Sequence, residues 1–200
     1  LEVANKARKW STQAREAAAW YQHEEVGYNY RMSNVIAGII RGQYDYLEEH
    51  IAQKKVVYER YKEGLKDIPI QMNPFDEKRW LSALIIDKDA MCKQVRSGTE
   101  AIYIPEKGKS CPTEILEAII SINAEGRPIW KPMHMQPMYR MNEFVTVSGS
   151  GRAKTNAYIE GGIEDVGADI FQRGVCLPSD NKMTAEQQDR IIEVIRACFE

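Results

Sequence analysis

Apolar side chains recur at helical spacing between residues 32 and 65. They occupy positions 35, 36, 39, 40, 44, 47, 51, 56, 57, 61 and 65, close to one per turn of a helix. Ser33 can cap the start of this run, and Pro69 follows its end. Because the run is too long for one ordinary globular helix, the pattern predicts a helical segment with a bend near Gly42 or Leu47.

The segments that precede this run differ in character. Residues 1–18 are rich in Ala, Lys, Arg and Glu and contain neither Pro nor Gly, which predicts a helix. Residues 20–30, WYQHEEVGYNY, are aromatic and polar without a steady period. They predict a loop or an irregular strand.

After Pro69 the pattern changes to short apolar runs. The pattern predicts strands in IPIQM, in WLSALIID, at the start of AIYIPEKGKS and in VCLPS. It predicts helices in CPTEILEAIISI, in EDVGADIFQRG and in the residues after the TAEQ capping box at 184–187. Residues 126–139 carry three prolines and cannot form a regular helix interior. The outline predicts an α/β arrangement with a modest sheet.

Charge and cysteine usage exclude several classes of protein. The 200 residues carry a formal net charge of −2, which gives no electrostatic reason to expect nucleic-acid or membrane binding. No apolar run approaches the roughly 20 residues that span a bilayer. The four cysteines lie far apart without a CxxC pair, which predicts free thiols in a reducing cytoplasm and no metal site.

Few segments resemble the common catalytic motifs. There is no GxSxG, no P-loop, and no GxGxxG after a strand. SGSGR, at 148–152, is either a phosphate-binding loop or an ordinary flexible loop. His23 is a candidate for a structural hydrogen bond rather than for catalysis. His134 and Lys131 lie in the proline-stiffened WKPMHMQP, which suits recognition of a polyhydroxylated or phosphorylated ligand, or is simply a proline-rich surface loop.

GYNYRMSN, at 27–34, places hydrogen-bonding groups at the start of an apolar helix. A helix N-terminus presents unpaired N–H groups and favours phosphate, and Asn29 and Arg31 would add an amide and a guanidinium donor. In the alternative interpretation the tyrosines pack, Arg31 pairs with a carboxylate, and Asn29 makes a turn. The residues alone leave both interpretations open.

Three separated segments resemble one known family. They are QAREAAAWYQHEEVGYNYRMSNVIAGIIRGQYDYLEEHIAQKKVVYERY, RPIWKPMHMQP and DIFQRGVCLPSDNKMTAEQQDRIIEVI. In this order they are similar to the DegT/DnrJ/EryC1/StrS family of sugar aminotransferases. The sequence around WYQHEEVGYNYRMSN and WKPMH is most similar to that of members that aminate a UDP-linked 4-keto-6-deoxy-N-acetylhexosamine, as in bacillosamine synthesis.

The resemblance implies a fold, a cofactor and a set of site residues. It implies the C-terminal portion of the fold type I, aspartate aminotransferase-like fold, with residues 1–45 ending the large domain and forming a dimer-interface segment, and residues 46–200 forming the small α/β domain. It implies pyridoxal phosphate (PLP) as cofactor, with Asn29 reaching the cofactor phosphate of the other subunit in a homodimer. Arg31, Lys131 and His134 are the implied substrate-binding residues.

The implied reaction is amination of a nucleotide-linked 4-keto-6-deoxysugar, with glutamate as amino donor, in cytoplasmic synthesis of a cell-surface polysaccharide or glycan. Nothing matches the family's Schiff-base lysine, because Lys6 and Lys9 stand in the wrong context. We therefore expect a C-terminal part of a longer enzyme, with no catalytic residue of its own and no activity in isolation. The alternatives are a PLP-dependent ketosugar dehydratase of the same fold and a non-catalytic nucleotide-sugar-binding module.

Overall fold

A computed structural model describes residues 1–74, 81–97, 100–139, 142 and 165–200. The chain divides into two compact units, Leu1–Glu48 and Glu49–Glu200. The first unit contains helices α1 (Glu2–Ser11) and α2 (Asn34–Tyr44). Which of the two units belongs to a large or a small domain stays a prediction.

Helix α1 ends earlier than the sequence predicts. Gln13 and Ala14 adopt left-handed backbone conformations, with φ of 66° and 51°, and the Ala14 N–H bonds back to the Lys9 carbonyl at 2.8 Å. Left-handed residues cannot continue a right-handed helix. The prediction of a helix over residues 1–18 is therefore wrong beyond Ser11, and the missed signal is tertiary, because the backbone after Ser11 pairs with residues 28–30.

The predicted bend in the long helical run is a complete break. Helix α2 ends at Tyr44, and α3 (Leu47–Gly64) begins three residues later. The Ser33 side chain accepts the Ile36 N–H at 3.3 Å, which confirms the predicted cap of α2. Thus the helical prediction is right over both segments, and Leu47 marks the start of the second helix.

The second unit is built on a four-stranded antiparallel sheet. Its strands are β1 (Ile70–Met72), β2 (Ala83–Ile86), β5 (Arg127–Pro128) and β6 (Gly174–Cys176), in the order β1-β2-β6-β5. Strands β3 (Lys93–Ser97) and β4 (Glu100–Ile104) form a separate antiparallel hairpin. The segment KQVRS escapes sequence prediction as a strand because Val95 is its only apolar residue.

Within the described residues, three further helices cover this sheet. They are α4 (Pro112–Ser121), α5 (Val166–Arg173) and α6 (Ala185–Ala197), and short 3₁₀ turns span Lys88–Ala90, Met133–Met135 and Pro137–Tyr139. The predicted capping box of α6 is present, with Thr184 and Gln187 exchanging hydrogen bonds.

The core of the second unit lies between the sheet and helices α3, α4 and α6. Its fully buried members include Leu84, Ile119, Val175 and Ile195. Tyr61 is also fully buried, and its hydroxyl donates to the Pro178 carbonyl at 2.8 Å. The apolar burial stabilises the unit, and the hydrogen bond removes the cost of burying the phenol.

Candidate functional site

The segment that contains Asn29 is held by backbone pairing to the end of α1. Tyr28 N–H donates to the Trp10 carbonyl at 2.7 Å, and Tyr30 N–H donates to the Ser11 carbonyl at 3.1 Å. Thr12 and Asn29 form an antiparallel bridge, flanked by this second hydrogen bond and by one of 2.9 Å from the Gln13 N–H to the Tyr28 carbonyl. The prediction of a loop or an irregular strand is therefore confirmed, and the pairing fixes the backbone of Asn29.

Gly27 is required by a close backbone approach. A Cβ atom added at this position would lie 2.2 Å from both the Ala14 nitrogen and the Gln13 carbonyl carbon. No side chain fits at such distances, so the turn at residues 13–14 can pack here only against glycine. His23 Nδ1 lies 2.9 Å from the Gln13 carbonyl oxygen, which supports a structural role for this histidine.

A polar clamp, defined as Lys6, Lys9, Trp10 and Glu25, joins the segment to helix α1. Lys6 Nζ and Trp10 Nε1 both donate to the Glu25 carboxylate, each with a contact of 2.8 Å, and Lys9 Nζ lies 3.1 Å from it. These donors, Lys6 foremost, lower the pKa of Glu25 to about 2. Lys9 also pairs with Glu16.

The side chains of Asn29 and Arg31 project from this framework and are exposed. Within the described chain neither makes a hydrogen bond or an ion pair, so the alternative in which Arg31 pairs with a carboxylate finds no support there. The rings of Tyr28 and Tyr30 stack with their centroids 5.1 Å apart. The segment thus presents an exposed amide and an exposed guanidinium, both of which carry hydrogen-bond donors.

Helix α2 carries a large exposed apolar surface directly after this segment. Ile36 is 48% exposed and Ile39 is 57% exposed, and Val35 and Ile40 are exposed as well. Contiguous apolar surface of this kind marks interaction sites in soluble proteins.

The second candidate cluster lies in the second unit, around His134. Its Nε2 atom is 2.6 Å from Oδ2 of Asp165, and the two side chains are only 17% and 18% exposed. Lys131, three residues earlier, is half-buried and forms no ion pair within the described residues. Of the implied site residues, Lys131 and His134 therefore lie in one loop of the second unit, while Asn29 and Arg31 belong to the first unit.

Sequence reasoning missed Asp165. The carboxylate caps helix α5, because Oδ1 accepts the Ala168 N–H at 2.9 Å. An aspartate three residues before a small residue at a helix start is a recognisable capping signal. Its partner His134 lies 31 residues away, and no sequence pattern links the two.

Other parts of the chain offer weaker sites. A groove of about 690 Å³, lined by Asn123, Asp180, Lys182 and Arg190 among others, contains none of the candidate residues. Burial raises the pKa of Cys92 to about 12 and that of Cys198 to about 11, so neither thiol supplies a thiolate nucleophile at neutral pH. The SGSGR loop lies outside the described residues.

Neither a cluster of metal-ligating side chains nor a membrane-spanning helix occurs within the described ranges. No three His, Cys, Asp or Glu side chains within them gather as a metal ion would require. None of their helices has both the length and the apolar character needed to cross a bilayer.

Comparison with known proteins identifies the family. The model of the DegT/DnrJ/EryC1/StrS aminotransferase family matches residues 2–196. The chain belongs to this family. EpsN of Bacillus subtilis, named as a pyridoxal phosphate-dependent aminotransferase, is 33% identical over 200 residues and aligns with 97% of this chain and 43% of its own length. A GDP-perosamine synthase of Vibrio cholerae is 26% identical over 68% of this chain and 34% of its own length.

Solved structures of the DegT/DnrJ/EryC1/StrS family share the fold. A sugar aminotransferase from Streptococcus pneumoniae, in its PMP form, matches 99% of this chain and 43% of its own chain, with a TM-score of 0.65 at 16% identity. The fold is therefore fold type I, as the resemblance implies, and this chain corresponds to one portion of it. The chain spans less than half the length of these relatives.

Proposed function

We propose that the protein carrying this chain is a PLP-dependent aminotransferase. It would move an amino group from glutamate to the keto carbon of a nucleotide-linked 4-keto-6-deoxysugar, in the cytoplasm and as a homodimer, for synthesis of a cell-surface polysaccharide or glycan. The observation that carries the proposal is the family match over residues 2–196, together with the 33% identity to EpsN. The perosamine synthase supports a nucleotide-linked sugar as substrate.

The residues around Asn29 fit a cofactor that carries a phosphate dianion. Such a group needs N–H donors, and the Asn29 amide is exposed on a backbone fixed by pairing to α1. When bound, PLP supplies the electron sink that lets an amino group leave its donor. Asn29 of one subunit would hold the phosphate of the cofactor in the other, and Arg31 would contribute a bidentate donor for the nucleotide-sugar.

The exposed face of helix α2 gives this arrangement a physical rationale. The exposed apolar face at Ile36 and Ile39 directly follows Asn29 in the chain. Burying that face against a second subunit would bring Asn29 to the partner. In a two-fold dimer each subunit would then give and receive the same contact.

Turnover of the full-length protein tests the reaction. The protein is incubated with PLP, glutamate and UDP-, GDP- or dTDP-linked 4-keto-6-deoxysugars, and the sugar products are analysed by mass spectrometry. Gain of an amino group with release of 2-oxoglutarate is the expected result. Loss of a hydroxyl without amination identifies a dehydratase, and binding without any turnover identifies a non-catalytic module; either result contradicts the proposal.

Replacing Asn29 tests the cofactor contact. Asn29→Ala removes one hydrogen bond to a charged phosphate, which is worth about 1.5–3 kcal/mol. PLP retention after dialysis should therefore weaken by about one to two orders of magnitude. Asn34→Ala, which removes an exposed amide five residues further on, is the matched control and should retain PLP as the parent protein does.

Mixed dimers test whether the contact crosses between subunits. Asn29→Ala subunits are combined with subunits in which the cofactor-bearing lysine of the full-length protein is replaced. One of the two sites then carries both defects and the other carries neither, so activity should partly return. If proven mixed dimers stay inactive, Asn29 serves its own subunit.

A further inference from the structure

We propose that Asp165 is a positioning residue for His134: it holds the ring with its proton on Nε2 and ties the WKPMHMQP loop to the first turn of helix α5. The inference rests on the proposed function only in taking His134 as a nucleotide-sugar contact. It adds to that function a residue that governs how the sugar-binding loop is oriented.

One carboxylate performs two tasks in this arrangement. Oδ2 of Asp165 lies 2.6 Å from His134 Nε2, while Oδ1 accepts the Ala168 N–H at 2.9 Å. With 18% of the Asp165 side chain exposed, both contacts are largely removed from water. A short hydrogen bond to an ionised carboxylate is about twice as strong as one between neutral groups.

The pairing selects one form of the imidazole ring. An ionised carboxylate can only accept hydrogen bonds, so the ring nitrogen that faces Asp165 must donate. A neutral His134 therefore carries its proton on Nε2. Partners of this kind orient the functional histidines of other sites and set their tautomers.

Packing against α5 restricts the loop further. A Cβ added at Gly167 would lie 3.3 Å from Pro132 Cγ and 3.7 Å from His134 Cε1, so the loop rests directly on the start of the helix. The 3₁₀ turn Met133–Met135 keeps His134 within this contact.

The other end of α5 is anchored by the β3–β4 hairpin. Arg96 Nη1 donates to the Phe171 carbonyl at 2.9 Å, and its guanidinium lies over the Phe171 ring at 4.9 Å. Gln94 Nε2 donates to the Gln172 carbonyl at 2.9 Å. Helix α5 therefore gives Asp165 a support that is held at both ends.

Two substitutions separate the tasks of Asp165. Asp165→Asn keeps an oxygen that can cap α5, since Asn is as good a cap as Asp, but presents an N–H donor to the ring and so moves the ring proton to Nδ1. Asp165→Ala removes both contacts. Asp89→Asn, an exposed aspartate in the same unit, is the control for the loss of one negative charge.

Binding and spectroscopy of the full-length protein provide the readouts. Calorimetric titration with a UDP-linked 4-keto-6-deoxysugar should show affinity about 10- to 100-fold weaker for Asp165→Asn, the loss seen when a partner that orients a metal-bound histidine is removed. Its thermal midpoint should equal that of Asp89→Asn, and the ¹⁵N shifts of the His134 ring should report the proton transfer to Nδ1. In the His134→Gln background, Asp165→Asn should weaken binding no further.

Each contrary result overturns a defined part of the proposal. Unchanged affinity in Asp165→Asn, or additive losses in the double variant, shows that Asp165 does not act through His134. Loss of thermal stability in Asp165→Ala alone, with the affinity of Asp165→Asn unchanged, reduces Asp165 to a helix cap. Absence of any glutamate-dependent change in the PLP spectrum of the parent protein refutes the proposed function, yet the ring tautomer and the binding titration still test the inference by themselves.

Discussion

All of residues 1–48 are described, and they bury one side chain, that of Ala14. Residues 49–200, by contrast, enclose a core around Tyr61, Leu84 and Ile119. The first unit relies on backbone pairing and on the polar clamp around Glu25. The second relies on apolar burial between sheet and helices.

This difference shows what each unit needs from its surroundings. A core supplies most of the free energy that opposes chain entropy, and the first unit has almost none. Its apolar residues, Ile36 and Ile39 among them, are the exposed ones. Its shape is thus specified by polar contacts, while its stability depends on surface that becomes buried elsewhere, in our proposal against a second subunit.

The largest expected effect contrasts Leu84→Ala with Ile36→Ala. Truncating the fully buried Leu84 should lower the free energy of unfolding by about 2–5 kcal/mol at any protein concentration. Ile36→Ala should cost less than about 0.5 kcal/mol in the dissociated protein and more once subunits associate. Urea unfolding at two protein concentrations measures both. A concentration-independent loss for Ile36→Ala would show that this side chain is buried within its own subunit.

A smaller effect is expected from glycine substitutions in the first unit. Gly27→Ala forces a Cβ into the backbone of residues 13–14 and should cost about 1–3 kcal/mol, with weaker PLP retention because Asn29 is displaced. Gly42→Ala is the control, since nothing lies within 4 Å of the added atom, and alanine favours the helix by about 0.5–1 kcal/mol. Equal stability of the two variants would mean that residues 13–14 can move away from Gly27 at little cost.

The smallest expected effect is a loss of stability of the first unit at low pH. The pKa of Glu25 falls from 4.5 to about 2 in the folded chain, chiefly through Lys6, then Trp10 and Lys9. A lowered folded pKa means that the stabilisation is complete above pH 4.5 and is lost as the pH falls through about 2. The indole N–H resonance of Trp10 should move in this window, and salt should weaken the change.

Glu25→Gln is the control for that titration. An amide does not ionise in this range, so the Trp10 resonance should stay constant as the pH falls. A movement of equal size in the variant would assign the titration to another group.

Local sequence signals predicted most of the fold. Ser33, Pro112 and the Thr184–Gln187 box mark helix starts through contacts within one turn, and the structure confirms all three. The error at residues 12–18 arose because pairing with residues 28–30 overrides a favourable helix composition.

For the site, the sequence supplied candidates only. Asn29 and Arg31 stand at a helix start and Lys131 and His134 in a proline-stiffened loop, and the roles that the resemblance implies for them stay predictions. Asp165 was missed, because its contact with His134 depends on how α5 packs against a loop 31 residues earlier. Pairings over such distances leave no periodicity in a single sequence.

Helix α5, which supports His134 through Asp165, is joined directly to the sheet at Gly174. Helix α5 ends at Arg173 and β6 begins at the next residue, so no loop separates helix from sheet. A Cβ at Gly174 would lie 2.3 Å from Ile129 Cγ1, which leaves the joint no room for a larger residue. Eight residues at about 1.5 Å of rise give an arm of about 12 Å. A rotation of about 5° at the joint would therefore move the Asp165 carboxylate by about 1 Å, a displacement large enough to impair the positioning of a substrate.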